Sequence, residues 1–189
     1  MKILNACFCK WTTILASICC FWGLQVEAAK SYSPRGAINR TANVAALVWT
    51  TEQSTYRSVM VSIFSAGSWS AAVTLSAVGE DAIHPIVAVD ALGNAIVIWS
   101  SFNSVQGVEA LNATWLPFGG SWTTPTQISS SSENVIIISA SLDVAPYQLF
   151  INDAGVAVAG WISEIGNDLL IRTSTFSLGT WSTPVSLSP

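Results

Sequence analysis

The chain has 189 residues, a formal net charge of −4, 10% charged residues and 51% apolar ones. Its four cysteines, Cys7, Cys9, Cys19 and Cys20, all lie near the N-terminus, so the remainder holds no disulfide framework, thiolate nucleophile or cysteine metal site. Between Ala29 and Pro189 ten acids face five bases, a balance that argues against nucleic acid and against anionic membrane surfaces as partners.

The first stretch reads as a leader. Lys2 and Lys10 flank a polar start, an apolar run follows from Trp11 to Leu24, and Val26-Glu27-Ala28 places small residues where a signal peptidase cuts. A signal peptide over 1–28, cleaved after Ala28, predicts an exported protein with no stable membrane insertion. A retained anchor fits less well, because a spanning helix needs about 20 apolar residues. Lipid attachment at Cys19 also fits less well, since Ile18 stands where a small residue is wanted.

The rest reads as strands in a repeating order. Ala37-Ile38-Asn39 leads through Asn43 into Val44–Trp49, a hairpin that ends in tryptophan, and a third strand follows over 58–64. Then comes Gly67-Ser68-Trp69-Ser70, running on to Leu75-Ser76. The hairpin recurs from Val87 to Trp99 around Gly93, followed by a strand from Val108 to Trp115 and by Gly120-Ser121-Trp122-Thr123 through Ile128-Ser129. A third copy runs from Leu149 to Trp161 around Gly155, then Leu169 to Phe176, then Gly179-Thr180-Trp181-Ser182 through Leu187-Ser188. The glycine in each hairpin turn supplies a positive φ, and Asn43 is the next most tolerant residue for that place. Trp69, Trp122 and Trp181 are spaced by 53 and 59 residues, the period of a four-stranded propeller blade.

These repeats predict an all-β fold of β-propeller-like, tandem four-stranded antiparallel blades with about three repeats. If the Gly-Ser-Trp strand is called a, the order is b-c-d over 33–65, blades over 67–115 and 120–176, and a terminal strand a over 179–189. The pattern resembles the bacterial exported β-propellers of the kelch and sialidase-like superfamily. That resemblance implies strand exchange, in which the last strand a completes the first unit. It rests on the repeat, since Asp90 to Trp99 is longer than a sialidase box and only Gly119-Gly120 echoes the kelch glycine pair. Propellers close with about four to eight blades. Three units therefore fit two chains sharing a six-bladed ring as a homo-oligomer, or a fragment of a longer propeller, and fit a strained or open three-blade monomer less well.

Chemistry is sparse. The single histidine, His84, is expected in the loop joining strands a and b, with no nucleophile elbow beside it. Glu80, Asp81 and His84 are close in sequence but lack a recognised metal spacing, so neither metal nor cofactor is expected. Glu52, Glu80, Asp81, Glu133, Asp143, Glu164 and Asp168 sort to the end of the blades that carries the a-b and c-d loops. They read as a solvated acidic rim, or alternatively as the paired carboxylates of a glycosidase. Trp49, Trp99 and Trp161 end strand c in each unit, as blade packing or a glycan platform would require. The third unit carries about nine extra residues around Glu133 to Val144, including the apolar Val135-Ile136-Ile137-Ile138. Insertions of this kind often map to a binding face. The expected function is a non-enzymatic repeat module that binds protein or carbohydrate, with Trp49, Trp99, Trp161, Glu80, Asp81, His84, Glu133 and Asp143 as candidate contacts. The alternatives are a degenerate glycosidase or sialidase-like enzyme and a propeller fragment without a function of its own.

Overall fold

The computed structural model describes residues 30–137 and 146–188; the leader at 1–28, Asp143 and most of the insertion lie outside them. Three antiparallel sheets follow one another along the chain. The first holds β1 (Ser31–Asn39), β2 (Val44–Glu52), β3 (Arg57–Ser65) and an outer strand in two pieces, β4 (Ser68–Trp69) and β5 (Val73–Thr74). The second holds β6 (Ala82–Val89), β7 (Ala95–Asn103), β8 (Val108–Leu116) and β9 (Thr126–Gln127). In the third, β10 (Asn134–Val135) and β11 (Tyr147–Ile151) both pair with β12 (Ala157–Ile165). β13 (Asp168–Ser177), β14 (Thr180–Trp181) and β15 (Val185–Ser186) complete it. No helix occurs among the described residues. The fold is all-β and propeller-like.

Asparagine and aspartate side chains close the three hairpins. Asn39, Asp90 and Asn152 each accept two backbone N–H groups of their own turn through Oδ1, at 2.8–3.3 Å. Asn43, Gly93 and Gly155 follow with φ of 53°, 87° and 78°, so Asn43 does stand where the two glycines stand.

The order of strands within a unit differs from the expected one. The Gly-Ser-Trp strand folds back onto the strand before it: Trp69 pairs with Phe64, and Trp181 with Phe176. Each sheet is therefore b-c-d-a, and among the described residues no strand passes between the first sheet and the last. The cause is the turn. Ala66-Gly67 (φ 49° and 84°) and Leu178-Gly179 (φ 52° and 85°) are two-residue loops with both residues left-handed, the primed turn that matches the twist of a tight hairpin. The glycine that opens the phrase is turn chemistry and does not start a new unit.

The other residues of the phrase hold the outer strand in place. Each outer strand is broken into short pieces, with a proline in the second and third sheets (Pro125, Pro184) and none in the first, and in all three hydroxyls accept backbone N–H groups of the neighbouring strand. Ser70, Thr123 and Ser182 accept the N–H of Ile63, Trp115 and Thr175, each at 3.1 Å. Ser76, Ser129 and Ser188 accept those of Val59, Leu111 and Ile171, each at 3.0 Å.

The core is the pair of joints between sheets. Val48, Val59, Val61 and Leu75 of the first sheet meet Val97 and Trp99 of the second. Ile96, Ile98, Leu111 and Ile128 of the second meet Ala157, Ala159, Trp161 and Phe176 of the third. Trp99 and Trp161 are buried there, so they are packing residues and offer no ring to a ligand. Trp49, at the same position in the first sheet, is half-buried.

Candidate functional site

The innermost strands β1 and β6 each carry a bulge near their start, where the register slips between Tyr32 and Arg35 and between Ile83 and Ile86. Ser33 and His84, each followed by proline, take left-handed φ of 52° and 55° at those slips, a conformation costing roughly 1–3 kcal/mol per non-glycine residue. Bulges of this kind re-aim side chains and cluster beside functional sites. The insertion of the third unit falls at the same place. Val135 lies opposite Ser163, as Ala82 lies opposite Ser101, and pairing resumes at Tyr147 opposite Trp161. The extra residues thus replace a single bulged residue, and all three inner strands depart from regularity at one end.

That end gathers the polar chemistry of the molecule. Arg57 clamps Asp81 with Nε donating to Oδ1 at 2.7 Å and Nη2 donating to Oδ2, and its backbone N–H donates to Oδ1 at 2.9 Å. The hydrogen bonds from Arg57 hold the Asp81 carboxyl below the usual carboxylate range. Tyr32 donates its hydroxyl to Glu52 Oε2 at 2.6 Å, which raises the phenol above its ordinary value. Tyr32, Glu52, Gln53, Tyr56, Arg57 and Asp81 line a cleft of about 370 Å³. On β8, burial and then the Asp81 charge push Glu109 above the ordinary glutamate range. Its Oε2 is buried and has no hydrogen-bond donor among the described residues.

The residues singled out from sequence have separate fates. His84 is buried in β6 and is not in a solvated loop; its carbonyl accepts the hydroxyl of the buried Tyr147 at 2.5 Å. Glu80 accepts the Ala77 N–H at 2.8 Å and the Trp99 indole N–H at 3.2 Å. Glu133 is fully buried, accepting the Ser130 N–H at 2.7 Å and Arg172 Nε at 2.9 Å. These two glutamates close equivalent turns between sheets and are structural. Glu80, Asp81 and His84 have different partners, and no group of three metal-ligating side chains forms among the described residues. Of the seven candidates among the described residues, only Asp81 lines the cleft. Tyr32, Tyr56, Arg57 and Glu109 were missed. The signal that points to them is the Ser33-Pro34 and His84-Pro85 pair, which marks the bulges inside otherwise strand-like runs.

A second concavity, about 490 Å³, runs along the outer strands of the second and third sheets past Trp115 and Trp181. Their rings lie tilted against Phe176, with centroids 5.6 and 5.3 Å away. A like tilted pair, Phe64 with Trp69, occurs in the first sheet, so these pairs help hold the outer strands of the first and third sheets.

No family model matches this chain. No curated protein matches it either. Among solved structures it is similar to the crystal structure of the polysaccharide lyase Uly1, with a TM-score of 0.52 and 8% identity over 81% of this chain and 40% of that one. The chain spans less than half the length of that lyase, and at this identity the likeness is one of β-rich fold alone.

Proposed function

We propose that the protein is an exported, propeller-like binding module that takes a carbohydrate in the cleft between Tyr32, Glu52, Tyr56 and the Arg57–Asp81 clamp. The observation that carries this reading is the composition of the cleft. Two tyrosines contribute aromatic rings to its lining, and carboxylates, a glutamine and a guanidinium contribute acceptors and donors for sugar hydroxyls. Its place at the end where the inner-strand bulges and the insertion emerge supports the same reading. Kinship with kelch or sialidase-like repeats, and export through the leader, belong to the proposal.

A catalytic reading has one observation in its favour. Asp81 is held below and Glu109 above the usual carboxylate range, and such opposed neighbours are how acid and base roles are set apart in glycosidases. Against it, the Arg57 clamp fully engages Asp81, and a raised Tyr32 is a poor base. A glycan array run beside a panel of glycosidase and lyase substrates decides between them. Binding without turnover, lost in Tyr56→Ala, agrees with the module; turnover lost in Glu109→Gln overturns it in favour of the enzyme. No glycan bound and no substrate turned over removes both.

A further inference from the structure

We propose that two copies of this chain join end to end, the uncovered face of the first sheet of each docking on the uncovered face of the third sheet of the other, to close a ring of six sheets. The repeat itself says what covers these faces. Each joint inside the chain brings the forward face of one sheet against the backward face of the next. On forward faces, Val59 and Leu75 of the first sheet are 0% and 7% exposed, and Leu111 and Ile128 of the second 0% and 4%. Their counterparts on the third sheet, Ile171 and Leu187, are 52% and 67% exposed. The third outer strand is nonetheless held as in the other sheets, with Leu187 N–H donating to Ile171 O at 2.9 Å and Ile171 N–H to Ser188 Oγ at 3.0 Å. That forward face is preformed.

The backward face of the first sheet is its mate. Val97 and Trp99 are fully buried in the first joint, whereas Leu47 and Trp49 at the same positions of β2 are 37% exposed and half-buried. Trp69, beside them, is 52% exposed. A partner must therefore present both kinds of face at once, as a second copy does. The contact is heterologous, so it either closes or continues as a filament. With three sheets among the described residues of each chain, two copies fall within the four to eight blades at which propellers close, and three copies do not.

The test is absolute mass by light scattering after gel filtration of the protein produced from its full sequence, with near-ultraviolet circular dichroism as the control for folding. The wild type is expected at twice the mass of one chain. Ile171→Glu on the forward face and Leu47→Glu on the backward face should each halve that mass while keeping the tryptophan signal. Val185→Glu, on the same face as Ile171 and 53% exposed, replaces Ile171→Glu if that variant loses its signal. An equimolar mixture of the forward and backward variants should regain the paired mass through its one intact joint. A wild-type monomer at every loading overturns the proposal. So does a variant that stays paired, a mass of three or more copies, or a mixture that fails to pair.

Discussion

Replacing Arg172 by methionine keeps the aliphatic stem and removes the charge that faces Glu133. The Glu133 side chain is 0% exposed and that of Arg172 14%, so the pair is buried and no solvent reaches the carboxylate. Among the described residues two donors hold it, Ser130 N–H and Arg172 Nε, and the substitution removes one donor and the only countercharge among them. Uncovering a buried charge in this way costs about 3–5 kcal/mol. The retained backbone bond places this case near the lower end, about 3 kcal/mol. For a chain of this size that is a fall in Tm of roughly 6–12 °C. The exposed counterpart is Arg57→Met. Its partner Asp81 is 42% exposed, and solvent screening limits the loss to about 1 kcal/mol or less. Both variants are followed by urea unfolding with tryptophan fluorescence, alongside the double variant Glu133→Gln/Arg172→Met, which removes the orphaned charge and recovers about 2 kcal/mol. Equal losses for the two arginine variants, or no recovery in the double variant, would refute the assignment of Glu133 to a structural joint.

Three further outcomes follow from the same geometry. Ser129→Ala leaves the buried Leu111 N–H without its acceptor and should cost about 1–3 kcal/mol in urea unfolding; Ser188→Ala, made in the unpaired Leu47→Glu chain where its partner Ile171 is exposed, should cost less than half as much. Ala66→Asn puts a residue tolerant of left-handed φ at the first position of the turn between β3 and β4 and should stabilise by about 1 kcal/mol, whereas no gain would contradict that turn. Glu109 holds its proton more tightly in the folded state, so its contribution to stability is present below the ordinary glutamate range and lost as pH rises through its raised value. Glu109→Gln should therefore raise thermal stability at neutral pH, with the advantage fading on acidification. Asp81, held low, works in the opposite sense, its contribution present above the ordinary aspartate range and lost as pH falls through its depressed value.

Much of the fold is legible in the sequence because strands and turns are local. The apolar run Val44–Trp49 and the turn residues Asn43, Gly93 and Gly155 announce each hairpin, and the recurring tryptophans announce the repeat. The pairing of the outer strand is not legible in the same way. Gly67-Ser68 can open a new unit or close a hairpin, and the choice depends on both Ala66 and Gly67 being left-handed. The serines of the phrase illustrate a similar limit, since a hydroxyl that completes a ladder looks in sequence like any surface serine. Burial hides the roles of the charged residues. Glu133 and Asp81 are both acids of one rim in sequence, yet one is sealed in a joint and the other is clamped at a cleft by Arg57, 24 residues away. The tryptophans at positions 49, 99 and 161 repeat faithfully because joints repeat, and repetition reports packing before it reports binding.

The most direct test of the proposed site is backbone amide NMR of the protein as it is titrated with a glycan found to bind it. Shifts centred on Gln53, Tyr56 and Arg57, absent from the outer strands, are the predicted result. Shifts centred on Trp115, Thr123 and Trp181, with the cleft residues unmoved, would place the ligand in the outer groove and contradict it.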